Sequence, residues 1–380
     1  MRLAFYAPMK PPDHAVPSGD REIARLLMRA LALAGFDVDL ASRLRTFDRE
    51  GDAKRQARMA TVGAAVARRL VQRYRRVGGA PAVWFTYHLH HKAPDVVGPA
   101  VCRALHIPYV VAEASVAAKQ RDGPWRVGYA QSLDALRRAS GVVCLNPADA
   151  AGVRAVVAGT PCEVVPPFVD AQRFPPRSER QPDEPVRLVT VAMMRAGAKL
   201  RSYRLLADAL RRIDAAPWRL AIVGDGPVRG EVAEAFAPFP TGRVHFLGAL
   251  DAAGVAGVLR ESDVFVWPAI DEAFGMALLE AQACGLPVVA GRSEGVASIV
   301  SDRRSGLLAD MGDAPAFATA LDALIVDGER RRRLGTQARQ HVLDRHDLAS
   351  AARSLRAFIA RASERFATSA ASESRDDGHA

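Results

Sequence analysis

Long apolar runs are missing from this sequence; none reaches the roughly 18 residues that a membrane-spanning helix needs. The amino-terminal MRLAFYAPMK has too short an apolar stretch for a signal peptide and meets a proline at once, so the cytoplasm is the expected compartment. Cysteine is scarce. Cys102, Cys144, Cys162 and Cys284 are scattered with no Cys-x-x-Cys pair, which speaks against a disulfide scaffold or a zinc site and for a reducing environment. Lysine is scarce too: only five of the 52 basic residues are lysine, and the formal net charge of +10 rests on arginine. No interleaving of basic and aromatic residues accompanies that charge, which argues against a nucleic-acid partner. An anionic membrane, a phosphorylated substrate and plain arginine bias all stay open. No Gly-x-Gly-x-x-Gly follows the first apolar segment, which disfavours a nicotinamide dehydrogenase.

What is present is an alternation of buried strands and amphipathic helices over 380 residues, enough for two domains. Arg2 to Tyr6 reads as a strand, and APMKPPDHAVPSGD as a long polar loop. Ser18 or Asp20 would cap a helix over Arg21 to Leu33, whose apolar residues recur at helical spacing. Gly35 ends that helix. Further strands are expected at Phe36–Leu40, Ala82–Tyr87, Pro108–Ala112 and Gly141–Leu145. The proline-rich stretch Pro161 to Pro185 reads as a linker. The pattern then restarts, with strands at Val186–Val191, Arg219–Val223, Val244–Leu247, Val264–Trp267 and Pro287–Ala290. Strand–helix alternation of this kind predicts parallel, doubly wound sheets, whose ligands bind beyond the carboxyl ends of the strands. The boundaries predict an amino-terminal domain over 1–168, a second over 169–346, a helix over about 347–365 returning to the first, and a disordered tail over 366–380.

The densest chemical signal is VFVWPAIDEAFGMALLEAQACGLPVVAG, residues 264 to 291. A strand leads into a loop with Asp271 and Glu272. A helix starting near Phe274–Gly275 and Met276 then aims its free N–H groups beyond the strand ends, where they favour a phosphate. Glu280 lies inside that helix, within reach of ribose hydroxyls once a diphosphate sits on the helix end. With this setting the chain resembles glycosyltransferase family 4, of the GT-B fold: two Rossmann-like domains facing a central cleft. The resemblance implies that Glu272 contacts the donor sugar and Glu280 the ribose. EVVPPFVDAQRF looks like the family's linker turn, with Pro167–Phe168 in place of the usual asparagine–glycine. LAIVGDGPVRGEV and VHFLGAL resemble its next signatures, and Glu294–Gly295 fall on its sugar-facing loop.

In LVTVAMMRAGAKLRSYRLLADAL, Arg195 and Lys199 match the arginine and lysine that grip the donor diphosphate, although they stand four apart rather than five. Gly19 corresponds to the glycine-rich loop beside the diphosphate. The resemblance implies a retaining transfer from a UDP- or GDP-sugar to an acceptor that the sequence does not identify, with no enzyme nucleophile, no cofactor and no metal. A glycan or a lipid-linked acceptor, as in envelope polysaccharide synthesis, would suit a chain that lies on a membrane. A nucleotide-sugar epimerase or phosphorylase, or a non-catalytic GT-B binding protein, is the alternative.

Asp37-Val38-Asp39 imitates a metal-binding triplet but falls inside an expected strand. Tyr87-His88-Leu89-His90-His91 follows a strand; His88 and His90 either line an acceptor pocket or are structural, and no third metal ligand is evident. Glu113 and Ser115 end the next strand as further acceptor-pocket candidates, where relatives carry a histidine. Finally, Asp52 to Val77 reads as a basic amphipathic helix with Met59, Val62, Val66, Leu70 and Tyr74 on one side. It would either lie on an anionic membrane or pack on the sheet with a solvated arginine face.

Overall fold

The computed structural model describes residues 1–376 except 17, 116–117, 179–184 and 214–216. The chain divides into two units, Met1–Pro166 with Ala351–Ala380, and Pro167–Ser350. Each is an α/β sandwich around one parallel sheet.

In the first unit the elements are β1 (Arg2–Tyr6), α1 (Gly19–Leu33), β2 (Asp37–Ser42), α2 (Ala53–Val77), β3 (Val83–His90), α3 (Gly98–Leu105), β4 (Tyr109–Ser115), α4 (Arg126–Arg137), β5 (Gly141–Cys144), α5 (Pro147–Val156) and β6 (Cys162–Val164). The second contains β7 (Val186–Val191), α6 (Ala198–Leu210), β8 (Trp218–Val223), α7 (Arg229–Phe236), β9 (Val244–Gly248), α8 (Ala252–Arg260), β10 (Val264–Trp267), α9 (Met276–Ala283), β11 (Val288–Gly291), α10 (Glu294–Ile299), β12 (Gly306–Ala309), α11 (Ala314–Val326) and α12 (Gly328–Arg345). The last helix, α13 (Leu348–Asp376), ends the described chain.

The first 6-stranded sheet runs β2-β1-β3-β4-β5-β6, and the second β12-β11-β10-β7-β8-β9. All neighbours pair in parallel. Strands covered by helices on both faces are apolar throughout, which is why VFVW of β10 and GVVC of β5 bury every side chain. In each sheet the order reverses beside the unit's first strand, at β1/β3 and at β7/β10. Such a switch point opens a crevice where the loops that follow the two strands diverge.

Local signals set the helix ends. Ser18, not Asp20, caps α1, accepting the Arg21 N–H at 3.3 Å. Gly35, at φ 91°, ends it, and the Phe36 N–H closes back on Leu31 O at 3.1 Å. Asp52 caps α2 through the N–H groups of Lys54 and Arg55. The buried face of α2 overlaps the apolar side read from the sequence, with Leu70 and Tyr74 buried and Met59 and Val66 half-buried. Gln56, Gly63, Ala67, Leu70 and Tyr74 are buried, whereas Val62 is 37% exposed. The small residues decide it: a Cβ on Gly63 would stand 2.2 Å from Val96 Cγ2, so the helix turns Gly63 and Ala67 inward for a close approach.

Two expectations need correction. β6 lies inside the proline-rich segment read as linker, because Cys162–Val164 pairs with the exposed edge of β5. The tail expected to be disordered from residue 366 is helical to Asp376. The stretch TSAASESRD has no glycine or proline to stop a helix already seeded upstream. The helix is anchored on the first unit by Phe358, which fills the space beside Gly141, and by Arg356, which donates to Ala34 O at 3.0 Å. Among the described residues no helix is long and apolar enough to cross a membrane.

Candidate active site

The loops after β7 and β10 build the site of the second unit. After Trp267 the chain turns through Ala269 at φ 55° and Asp271 at φ 49°, left-handed positions that L-residues rarely adopt. The neighbouring loop locks this path. Ser202 Oγ accepts the Ile270 N–H at 3.0 Å, and Ser293 Oγ donates to Glu272 O at 3.0 Å. A Cβ on Gly295 would lie 1.7 Å from Ala273 O, and one on Gly291 2.0 Å from Pro268 O. Only glycine fits at either place, so the loop holding Glu272 rests directly on backbone.

Glu272 is thereby aimed at α6. Its Oε2 accepts from Lys199 Nζ and from the Trp267 indole N–H, the latter at 3.1 Å. The Lys199 and Glu272 side chains are 27% and 15% exposed. The Lys199 ammonium also lies 5.2 Å from the centre of the Trp267 ring. Two residues on, Arg201 pairs with Asp271. Chain positions 73 apart thus meet at the switch point. Arg195 sits on the loop before α6, exposed, and its guanidinium makes no ion pair among the described residues.

Both helices that face this loop begin on a left-handed glycine. Gly275 (φ 68°) precedes α9 and Gly197 (φ 82°) precedes α6, and no side chain caps either. Uncapped first-turn N–H groups carry the positive end of the helix dipole and favour an anion. Phe274, Met276 and Glu280 are half-buried around the start of α9. Glu294 is exposed at the first residue of α10. Gly224 and Gly226 belong to packing: a Cβ there would lie 2.0 Å from Ala192 O and 2.2 Å from Met194 O.

The first unit carries a second polar cluster, at the ends of β3 and β4. His88 (φ 63°) and Glu113 (φ 57°) are both left-handed, and the flanking pairs Tyr87↔Ala112 and Leu89↔Ala114 bring them opposite each other. His88 Nδ1 lies 3.1 Å from Asp20 Oδ1, in the first turn of α1. Burial lowers the His88 pKa, but the Asp20 hydrogen bond and the charges of Glu113 and Asp20 outweigh it and raise the net value. Burial raises Glu113, against the pull of His88. Its Oε2 and the Tyr87 hydroxyl are both buried, and neither makes a hydrogen bond of good geometry to a described residue, though each shifts the other's titration. His90 is driven down to about 3 by burial and then by His91 and His88. Its ring lies 3.9 Å from that of His91, and its Nδ1 accepts the Lys92 N–H. Ser115 ends β4, half-buried, and Gly19 opens α1 with nothing within 4 Å of where a Cβ would stand. Asp39 is engaged by Arg2 and Arg73 at 3.3 and 3.1 Å. Among the described residues no three His, Cys, Asp or Glu side chains converge as a metal site.

The sequence reading missed two members. Trp267 read only as the end of a buried strand, although an indole that closes a Val–Phe–Val run beside an acidic loop is a polar handle in an apolar place. Asp20 read as a cap, and its distance of 68 residues from His88 hid the pairing.

Two doubly wound units of this kind are the GT-B architecture. Solved structures share it along nearly the whole chain. Sucrose-phosphate synthase from Thermosynechococcus elongatus superposes with a TM-score of 0.68 at 20% identity, covering 93% of this chain and 97% of that one. A glycosyltransferase from Rickettsia africae gives 0.70 at 14% identity, covering 95% and 98%. Anabaena HepE, solved in complex with UDP-glucose, gives 0.65 at 15%, covering 95% and 98%. The family model described as Glycosyl transferases group 1 matches residues 185–327, which hold the whole Lys199–Glu272 site. Among curated relatives, the sulfoquinovosyl transferase SQD2 of Arabidopsis thaliana is 30% identical over 198 residues, 50% of this chain and 38% of its own. D-inositol 3-phosphate glycosyltransferase of Corynebacterium jeikeium is 32% identical over 195 residues, 47% and 46%. The lipopolysaccharide core biosynthesis glycosyltransferase LpsE of Rhizobium meliloti is 29% identical over 220 residues, 58% and 62%. The chain thus spans less than two thirds of the length of each of these relatives.

Proposed function

We propose that this protein is a retaining glycosyltransferase that moves a sugar from a UDP- or GDP-sugar to a glycan or lipid-linked acceptor. One observation carries the reading: Lys199 and Glu272, from the two loops at the switch point, meet beside two helix starts that no side chain caps. A nucleotide diphosphate needs fixed positive charge, and its sugar needs a carboxylate that accepts from hydroxyls; this arrangement offers both within one site. The names of the relatives, all sugar transferases, support the same class.

In this reading Lys199, Arg195 and the N–H groups at the start of α9, around Gly275 and Met276, neutralise the leaving diphosphate. Glu272 orients the sugar and Glu280 the ribose, while Phe274 shapes the loop. His88, His90, Glu113 and Ser115 form the acceptor side. The leaving phosphate oxygen takes the acceptor proton, so the protein's contribution is positioning and charge stabilisation. No divalent ion and no cofactor is required, because fixed cations and helix ends do the neutralising. The expected setting is the cytoplasm, with α2 either lying on an anionic membrane or packing on the sheet with a solvated arginine face.

Turnover in Lys199→Ala and Arg195→Ala tests the assignment. Each should fall by roughly 10²–10³-fold. Glu280→Ala should chiefly weaken nucleotide binding, read by calorimetry. Full activity in all three variants would contradict the site.

A further inference from the structure

We propose that Trp267 is a positioning residue for the donor sugar: its indole N–H keeps the Glu272 carboxylate in its receiving orientation when the diphosphate draws Lys199 away. The inference rests on the nucleotide-sugar reading of the same site.

The geometry is specific. Trp267 ends β10, 3% exposed, in a strand whose every side chain is buried. Its ring meets Tyr203 edge to face at 5.0 Å, and the Tyr203 hydroxyl donates to Ala192 O at 2.7 Å. The indole is therefore fixed from behind. In front, its N–H donates at 3.1 Å to Glu272 Oε2, the oxygen that also accepts from Lys199. Two donors share one carboxylate oxygen, and they differ in kind. The ammonium is a point charge on four flexible bonds and follows the strongest anion nearby. The indole is neutral and rigid, so an arriving diphosphate gives it no reason to move. Meanwhile Ser293 anchors the Glu272 carbonyl at 3.0 Å. With Lys199 turned to phosphate, the carboxylate keeps one fixed donor on Oε2 and presents its other oxygen to sugar hydroxyls. A carboxylate released from both would swing, and the sugar would lose its register on the leaving group.

Trp267→Phe keeps an aromatic ring at the end of β10 but removes the five-membered ring together with its N–H, so a double-mutant cycle is needed to separate the loss of packing from the loss of the hydrogen bond. A hydrogen bond to a charged group of this kind is worth roughly ten- to a hundredfold, and the loss should appear in kcat. The dissociation constant for UDP or GDP, which lack the sugar to be transferred, should not change. The decisive reading is a double-mutant cycle: in a Glu272→Ala background, Trp267→Phe should have no further effect. Additive losses, or nucleotide binding that weakens as much as kcat, would show that Trp267 merely packs. A wild-type protein that binds neither nucleotide overturns the nucleotide-sugar reading, and this inference with it. Should the Phe variant not fold, the wild-type indole resonances give the same answer. One of the four, from Trp84, Trp125, Trp218 and Trp267, must shift in Glu272→Ala and stay protected from exchange under saturating nucleotide sugar. Loss of that protection on binding overturns the proposal.

Discussion

Asp20, His88 and Glu113 form an acid–imidazole–acid row whose members come from α1, β3 and β4. Asp149, on α5, adds its charge from further off. The row makes the stability of the first unit depend on pH with a definite sign. The folded His88 pKa is raised, so its pairing stabilises fully below the unfolded value of about 6.5 and is lost as pH rises through the folded value. His88→Asn removes the charge while tolerating the left-handed backbone. The stability gap between wild type and His88→Asn, read by thermal unfolding, should be largest below pH 6.5 and shrink above it. A gap flat with pH would show that folding leaves the His88 pKa unchanged, and a gap that shrinks as pH falls would show that the fold holds His88 neutral. These residues could be named from the sequence only as neighbours of a strand end. Their convergence could not, because it depends on two non-glycine residues adopting positive φ, which no local pattern announces. Glu272 and Lys199 were legible because the residues around them, from VFVW to CGLPVV and from LVTV to LADAL, make a recognisable setting.

At the scale of elements, the loop of residues 268–275 is held from both sides by close backbone contacts rather than by bulky packing. Gly295→Ala drives a Cβ into Ala273 O and should destabilise the protein by about 1–3 kcal/mol, with activity falling as Glu272 loses its seat. Gly257→Ala is the matching control, on α8 with nothing within 4 Å. There the substitution should be neutral or stabilise by up to about 1 kcal/mol. Urea unfolding of both variants checks the contrast, and equal effects would mean that the Gly295 contact can relax. The central strands were legible as apolar runs because both faces are covered. β6 was not, since three half-buried residues among prolines carry no periodic signal and are strands only by virtue of the edge they meet. The face of α2 was legible through Leu70 and Tyr74 but not in its centre, where Gly63 and Ala67 pack inward while Val62 faces out.

At the scale of the whole molecule, the formal net charge is +10, and α2 is one element that carries basic residues without acidic ones. On α2, Arg73 is held by Asp39 and Arg75 by Ala104 O, while Lys54, Arg58, Arg68, Arg69 and Arg76 stay exposed. Such a face should bind vesicles rich in anionic lipid and release them as salt is raised. Flotation at moderate ionic strength checks it, and protein that stays at the bottom of the gradient would remove the membrane from the account. The same surplus of fixed cations bears on catalysis. Sugar transfer should survive exhaustive EDTA treatment and gel filtration if, as proposed, Arg195, Lys199 and the start of α9 neutralise the leaving diphosphate. Activity restored only by manganese or magnesium would contradict that division of labour. The central claim, that the paired loops of the second unit receive a nucleotide-diphosphate sugar for transfer, meets its most direct test in one screen. The protein is incubated with a panel of UDP- and GDP-sugars in the presence of glycan and lipid-linked acceptors, and free nucleotide is measured. Release of UDP or GDP from a single donor, dependent on acceptor and abolished with Lys199→Ala, is the predicted result. A panel left intact by the wild type, or one in which the donor's sugar is only epimerised, would contradict the account.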